Sequence, residues 1–151
     1  MPHRHTANTL VATVDTAAAH LIQLDDATVR IRPAPEKWSI AEILGHLLDS
    51  AVNNHHRFIR AQQDDPLVFP RYEQDFWVEA QDFPGRPWGE LVALWRLYNH
   101  HLAHVMRRVP ADRLGVECRI GPYEPVTLGY LIEDYLTHLE HHLRQIEALA
   151  S

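Results

Sequence analysis

Twelve of the 151 residues are histidine, and the chemistry open to the chain begins with how a few of them are spaced. The segment Thr137-His138-Leu139-Glu140-His141-His142-Leu143 carries three of them and reads as helix. On a wheel of about 100° per residue, His142 falls inside an apolar stripe, beside Tyr135 and Ile146. His138 lies one turn back at the edge of that stripe, and His141 points outward. Side chains four apart on a helix stand about 5–6 Å from each other at Cβ, so the inward pair can share one metal ion. His100 and His104 have the same spacing but sit opposite their stripe, and they read as solvated.

A catalytic metal site usually takes three protein ligands and leaves one position open. The third ligand must come from another helix, and the segment after Ser39 offers His46, His55 and His56. His55 lies nearest the stripe there, His46 on its far flank, and His56 outside it. Periodicity alone leaves His46 and His55 as alternatives. Three neutral imidazoles would leave the ion its full positive charge. Such a site lowers the pKa of a bound water, to near 7 in favourable zinc cases, or keeps a bound thiolate ionised. The first chemistry serves hydrolysis and the second serves thiol transfer.

The elements that must position these groups are four amphipathic helices. The first spans about residues 7–24, with Leu10, Val14, Ala17, Ala18 and Leu21 as its stripe. Residues 1–6, with His3 and His5, read as a loose terminus. The second helix opens on Ser39-Ile40-Ala41-Glu42, a capping box, and runs to about residue 62 or 63. The third spans about residues 88–109 and stops at Pro110. The fourth opens at Val126 or Thr127 and runs to about Leu149. Helices of this kind bury their stripes most simply as an all-α four-helix bundle.

The connection over residues 64–87 is long enough to cross such a bundle, and Glu73–Ala80 predicts a short helix within it. Its Phe69, Tyr72, Phe76, Trp77 and Phe83 are too aromatic for an idle linker. Residues 111–125 read as irregular, with an extended piece at Val116–Ile120.

Composition narrows the function classes. The chain is 46% hydrophobic and 23% charged, with a formal net charge of −6. That fits one domain over residues 1–151 and argues against a nucleic-acid partner. No apolar run is long enough for a membrane span, and the expectation is a soluble cytoplasmic protein. The lone Cys118 cannot form an internal disulfide and reads as a packing residue. A di-iron carboxylate bundle needs Glu-x-x-His motifs on paired helices, and Glu42-Ile43-Leu44-Gly45 does not supply one.

Three stretches together resemble the DinB/YfiT-like metalloenzyme family. Lys37-Trp38-Ser39-Ile40-Ala41-Glu42-Ile43-Leu44-Gly45-His46-Leu47-Leu48-Asp49-Ser50 resembles its first signature. Tyr135-Leu136-Thr137-His138-Leu139-Glu140-His141-His142-Leu143-Arg144-Gln145-Ile146 resembles its second. Phe69-Pro70-Arg71-Tyr72-Glu73-Gln74-Asp75-Phe76-Trp77 looks like the connection of the YfiT branch. The resemblance covers about residues 36–147. It implies an up-down-down-up bundle and one divalent metal ion held by His46, His138 and His142. Zinc and nickel come first among such ions, with iron and manganese behind. The implied activity is metal-dependent hydrolysis of a small molecule. The alternatives are S-transfer of a low-molecular-weight thiol and a non-catalytic, metal-stabilised binding module. The family also makes a homodimer an expectation.

Other groups follow from that site. Metal-bound histidines usually donate their second nitrogen to a carboxylate or carbonyl. Asp49, Glu42 and Asp134 lie within a turn of an implied ligand, although each also reads as a solvated helix charge. Asn54 falls inside its helix's stripe, where it either lines a pocket or bonds a neighbouring helix. Arg71 and Tyr72 could close over the open metal face and bind an anionic substrate. The plainer reading is that Tyr72, Phe76 and Trp77 cover one bundle end. His20, His56 and His141 read as exposed or structural, and His55 and His101 stay unassigned.

Overall fold

The computed structural model describes residues 1–151. The capping box forms as expected: Ser39 Oγ accepts the Glu42 amide at 3.2 Å, and Glu42 Oε1 accepts the Ser39 amide at 3.0 Å. It opens α3 (Ile40–Arg60). The other long helices are α1 (Pro2–Leu21), α5 (Trp88–Arg108) and α6 (Leu128–Ala150), the last capped by Thr127. Short helices α2 (Asp26–Arg30) and α4 (Gln74–Gln81) lie in the connections.

Side-chain contacts give the direction of each helix. Trp88, opening α5, donates its indole N–H to the Leu21 carbonyl that closes α1, at 2.7 Å. Arg107 near the end of α5 reaches Asn8 near the start of α1, so the two helices are antiparallel. α5 runs parallel to α3: Phe83, just before α5, packs on Gly45, Tyr98 meets His55, and Arg113, just after α5, bonds the Ala61 carbonyl. α6 runs against α3, with His138 beside His46 and Tyr135 beside Phe58. α6 is therefore parallel to α1, and one groove between them runs from Ala17 and Leu143 to Leu24 and Ala150. The order is up-down-down-up. The buried apolar side chains of all four long helices join in one continuous cluster.

Two expectations change. The bundle carries a small sheet at one end: β1 (Leu67–Phe69) pairs in parallel with β2 (Glu117–Ile120), which pairs antiparallel with β3 (Val126–Thr127). The long connection is thereby tied to the segment before α6, through Leu67 opposite Cys118. The terminus is also not loose. α1 starts at Pro2, with His3 and Thr6 buried. Proline suits the first helical turn because its missing N–H would have had no partner there, and His3 continues the spacing of Ala7, Leu10 and Val14.

The first half of α3 shapes the site most. Every residue from Ile40 to Ala51 is buried. α5 and α6 cover one side of this stretch, while α2, α4 and the turn at Phe83–Gly85 cover the other.

Candidate metal centre

His46 lies in that enclosed half of α3 and is only 1% exposed. α6 brings His138 and His142 to it, both half-buried, and the ligand nitrogens of the three lie within 4.8 Å of one another. Nε2 of His46 stands 3.2 Å from Nε2 of His138. That is close to the about 3.4 Å that two imidazole nitrogens keep on a tetrahedral ion with bonds of about 2.0–2.1 Å. The ring centroids of His138 and His142 are 4.6 Å apart, and Trp38 packs on His46 at 4.8 Å.

The donor chemistry fits a metal ion. Burial, reinforced by the neighbouring histidines, holds His46 down to about 3 and His138 to about 4. Burial lowers His142 as well. The three rings are thus neutral near pH 7 and offer lone pairs. His142 donates its Nδ1–H to Gln145 Oε1 at 2.9 Å, because an amide oxygen can only accept. That bond leaves Nε2 of His142 as the free donor atom, the arrangement expected of an oriented metal ligand.

An open cavity of about 340 Å³ begins at His138 and runs along α3 and α6. Ser50, Asn54 and Arg57 line one wall, and Tyr130, Leu131 and Tyr135 another. Arg71 and Tyr72 border it, as the sequence allowed. Arg71 is exposed and paired with Glu73 at 3.0 Å. Burial pushes the Tyr72 hydroxyl up to about 12, helped by the nearby Asp49 charge.

The remaining candidates separate. Glu42 is neither solvated nor near a ligand's second nitrogen. Its carboxylate is buried and takes Arg32 at 2.9 and 2.6 Å. Asp49 is also buried: Gln81 of α4 donates to Oδ1 at 2.8 Å, while Oδ2 has no partner. Burial pushes that carboxyl up to about 6. Asp134 is exposed at the cavity's edge. Asn54 lines the cavity but bonds back to Ser50 of its own helix at 2.8 Å, not to a neighbour. His55 bonds the Tyr98 hydroxyl at 2.7 Å, away from the cluster. His100 bonds Asp15 at 2.7 Å, and His101 and His104 are exposed. Cys118 is buried in β2.

Arg57 is the cavity residue that reading for histidines and carboxylates passes over. A signal was present: Ser50, Asn54 and Arg57 set a polar line at positions i, i+4 and i+7, continuing the face of α3 that carries His46.

An up-down-down-up helical bundle with three convergent histidines defines a class of candidate metal-binding bundles. The chain belongs to the DinB superfamily, whose description matches residues 9–146. It is 28% identical over 120 residues to YfiT of Bacillus subtilis (strain 168), named "Putative metal-dependent hydrolase YfiT". That match covers 75% of this chain, and the chain spans 64% of the relative's length. A Geobacillus thermodenitrificans (strain NG80-2) protein named "Putative metal-dependent hydrolase" is 25% identical over 142 residues, 89% of this chain and 76% of that one. The solved structure of YfiT from Bacillus subtilis superposes with a TM-score of 0.80 at 19% identity, covering 95% of this chain and 85% of that one. It is described as having "an unusual four-helix bundle topology", and the likeness is one of fold. No helix of the chain is long and apolar enough to cross a membrane.

Proposed function

We propose that the chain is a metal-dependent hydrolase of a small molecule, with one divalent ion, zinc or nickel before iron or manganese, held by His46, His138 and His142. The observation that carries this reading is the convergence of three neutral imidazoles from two helices at the end of an open cavity. The descriptions of the two bacterial relatives support it. A divalent ion there would supply Lewis acidity, which acidifies a bound group and polarises a substrate oxygen. The chain's own residues do the rest. Gln145 fixes the tautomer of His142, Trp38 shields His46 from water, and the cavity wall from Ser50 to Arg57 receives the substrate.

The test is metal content followed by turnover. Purified protein should carry one equivalent of metal. His46→Ala, His138→Ala and His142→Ala should each lose it, and His100→Ala should keep it. Equal metal in His142→Ala and His100→Ala overturns the ligand assignment. Loaded protein should then turn over members of an ester and amide panel. Turnover only of an electrophile with an added low-molecular-weight thiol would replace hydrolysis by thiol transfer. No turnover in any panel would leave a binding module.

A further inference from the structure

One charged group in the cavity has no counterpart in the protein. Arg57 is half-buried, and its Nε is buried without a hydrogen-bond partner. No ion pair of the chain includes it. Its guanidinium lies 5.7 Å from the centroid of Phe69, a ring it shares with exposed Arg60, and no carboxylate is bonded to it. The two carboxylates that border the cavity, Glu124 and Asp134, are exposed and do not reach it. The other bordering guanidinium, Arg71, is already paired with Glu73. Leaving a desolvated cation unpaired is costly, and guanidinium groups in that state are suited to bidentate binding of oxyanions.

Position says what the oxyanion belongs to. His46, Ser50, Asn54 and Arg57 follow one another along a single face of α3. Arg57 is eleven residues from His46, about 16 Å of helix rise, and helical side chains lean toward the N-terminus, here toward the histidines. A cavity of about 340 Å³ joins the two ends, at the small end of the range for small-molecule sites.

We propose that Arg57 is the anchor for an oxyanion, a carboxylate or a phosphate, at one end of the substrate, so that the site selects small acidic molecules whose reacting group lies at the histidine end. This deepens the hydrolase reading and rests on it for the identity of the far end. The anion subsite itself needs no metal.

The test uses the full chain, freed of metal by chelation, titrated separately with inorganic phosphate and with acetate. Wild type should bind at least one of them saturably, with a shift of the Arg57 Nε–H resonance. That resonance is assigned by its absence from Arg57→Lys. Arg57→Gln should weaken binding at least tenfold, and Arg71→Gln less than threefold. Preference for phosphate would mark a phosphate ester as the substrate class, and preference for acetate a carboxylic acid. No saturable binding in wild type, equal binding in Arg57→Gln, or an unmoved Arg57 resonance overturns the proposal. Arg57→Lys keeps the cation and most of the side-chain volume, so the assignment and the wild-type shift do not depend on Arg57→Gln folding. The titrations use metal-free chain throughout, so loss of the metal assignment leaves this result standing.

Discussion

The ring of Phe83 occupies the space where a β-carbon at Gly45 would lie. Phe83 is itself only 2% exposed and cannot swing aside. Gly45 immediately precedes His46, so this contact seats the turn before α5 directly against the helix turn that carries a candidate ligand. Gly45→Ala should therefore destabilise the fold by about 1–3 kcal/mol, the usual cost of overpacking, and weaken metal binding with it. Urea unfolding and a metal titration check both. A variant as stable as wild type would mean that the ring relaxes.

Gln145 offers a milder change. Its Oε1 accepts from Nδ1 of His142, and loss of such an orienting partner costs up to about 10–100-fold in metal affinity. Gln145 is exposed, so Gln145→Ala should fall at the low end, near tenfold. Gln145→Glu, which still accepts, should lose less. Competition with a chromophoric chelator measures both.

The pH dependence of the metal-free protein has two opposed contributions. His46 and His138 are held to about 3 and about 4, below the usual 6.5. Their contribution is present above about pH 6.5 and is lost as the pH falls toward those values, because the unfolded chain takes up protons first. Asp49 is pushed up to about 6 from 3.8, so its contribution is present below pH 3.8 and is lost as the pH rises through 6. Asp49→Asn should raise stability near pH 7 by about 1–3 kcal/mol and give almost no gain near pH 4. Urea midpoints at the two pH values test the sign, and an equal gain at both would contradict it.

Cys118 should resist thiol reagents in the native protein. It is 0% exposed, and burial pushes its thiol up to about 11. A disulfide reagent should label it only after unfolding. Fast native labelling would show that β2 opens readily.

His100 and Asp15 should matter little. Their contact is half-exposed, and such pairs contribute about 0–1 kcal/mol. His100→Ala should stay within that range in a thermal melt.

The helices were legible because their signals are local. The capping box at Ser39 and Glu42, the stop at Pro110 and the inward pair His138 and His142 all depend on residues within a turn or two. His46 was not separable from His55 on a wheel, because a wheel assumes one wet face, and α3 has none from Ile40 to Ala51. The resemblance to a family, not the periodicity, pointed to it. The sheet was hidden for a related reason: β1 and β3 have three and two residues, too few for an alternating pattern, and their pairing joins distant segments. Glu42 looked solvated because its partner, Arg32, lies ten residues back, outside the helix. Arg57 carried no local sign of its solitude, which only the placement of every carboxylate could show.

His46 and His138 are 92 residues apart in the chain, and two of the three clustered histidines come from α6. No fragment ending before α6 can assemble the three-nitrogen set. An ion bound there would therefore close a very long loop and hold together two helices that the chain alone joins only through everything between them.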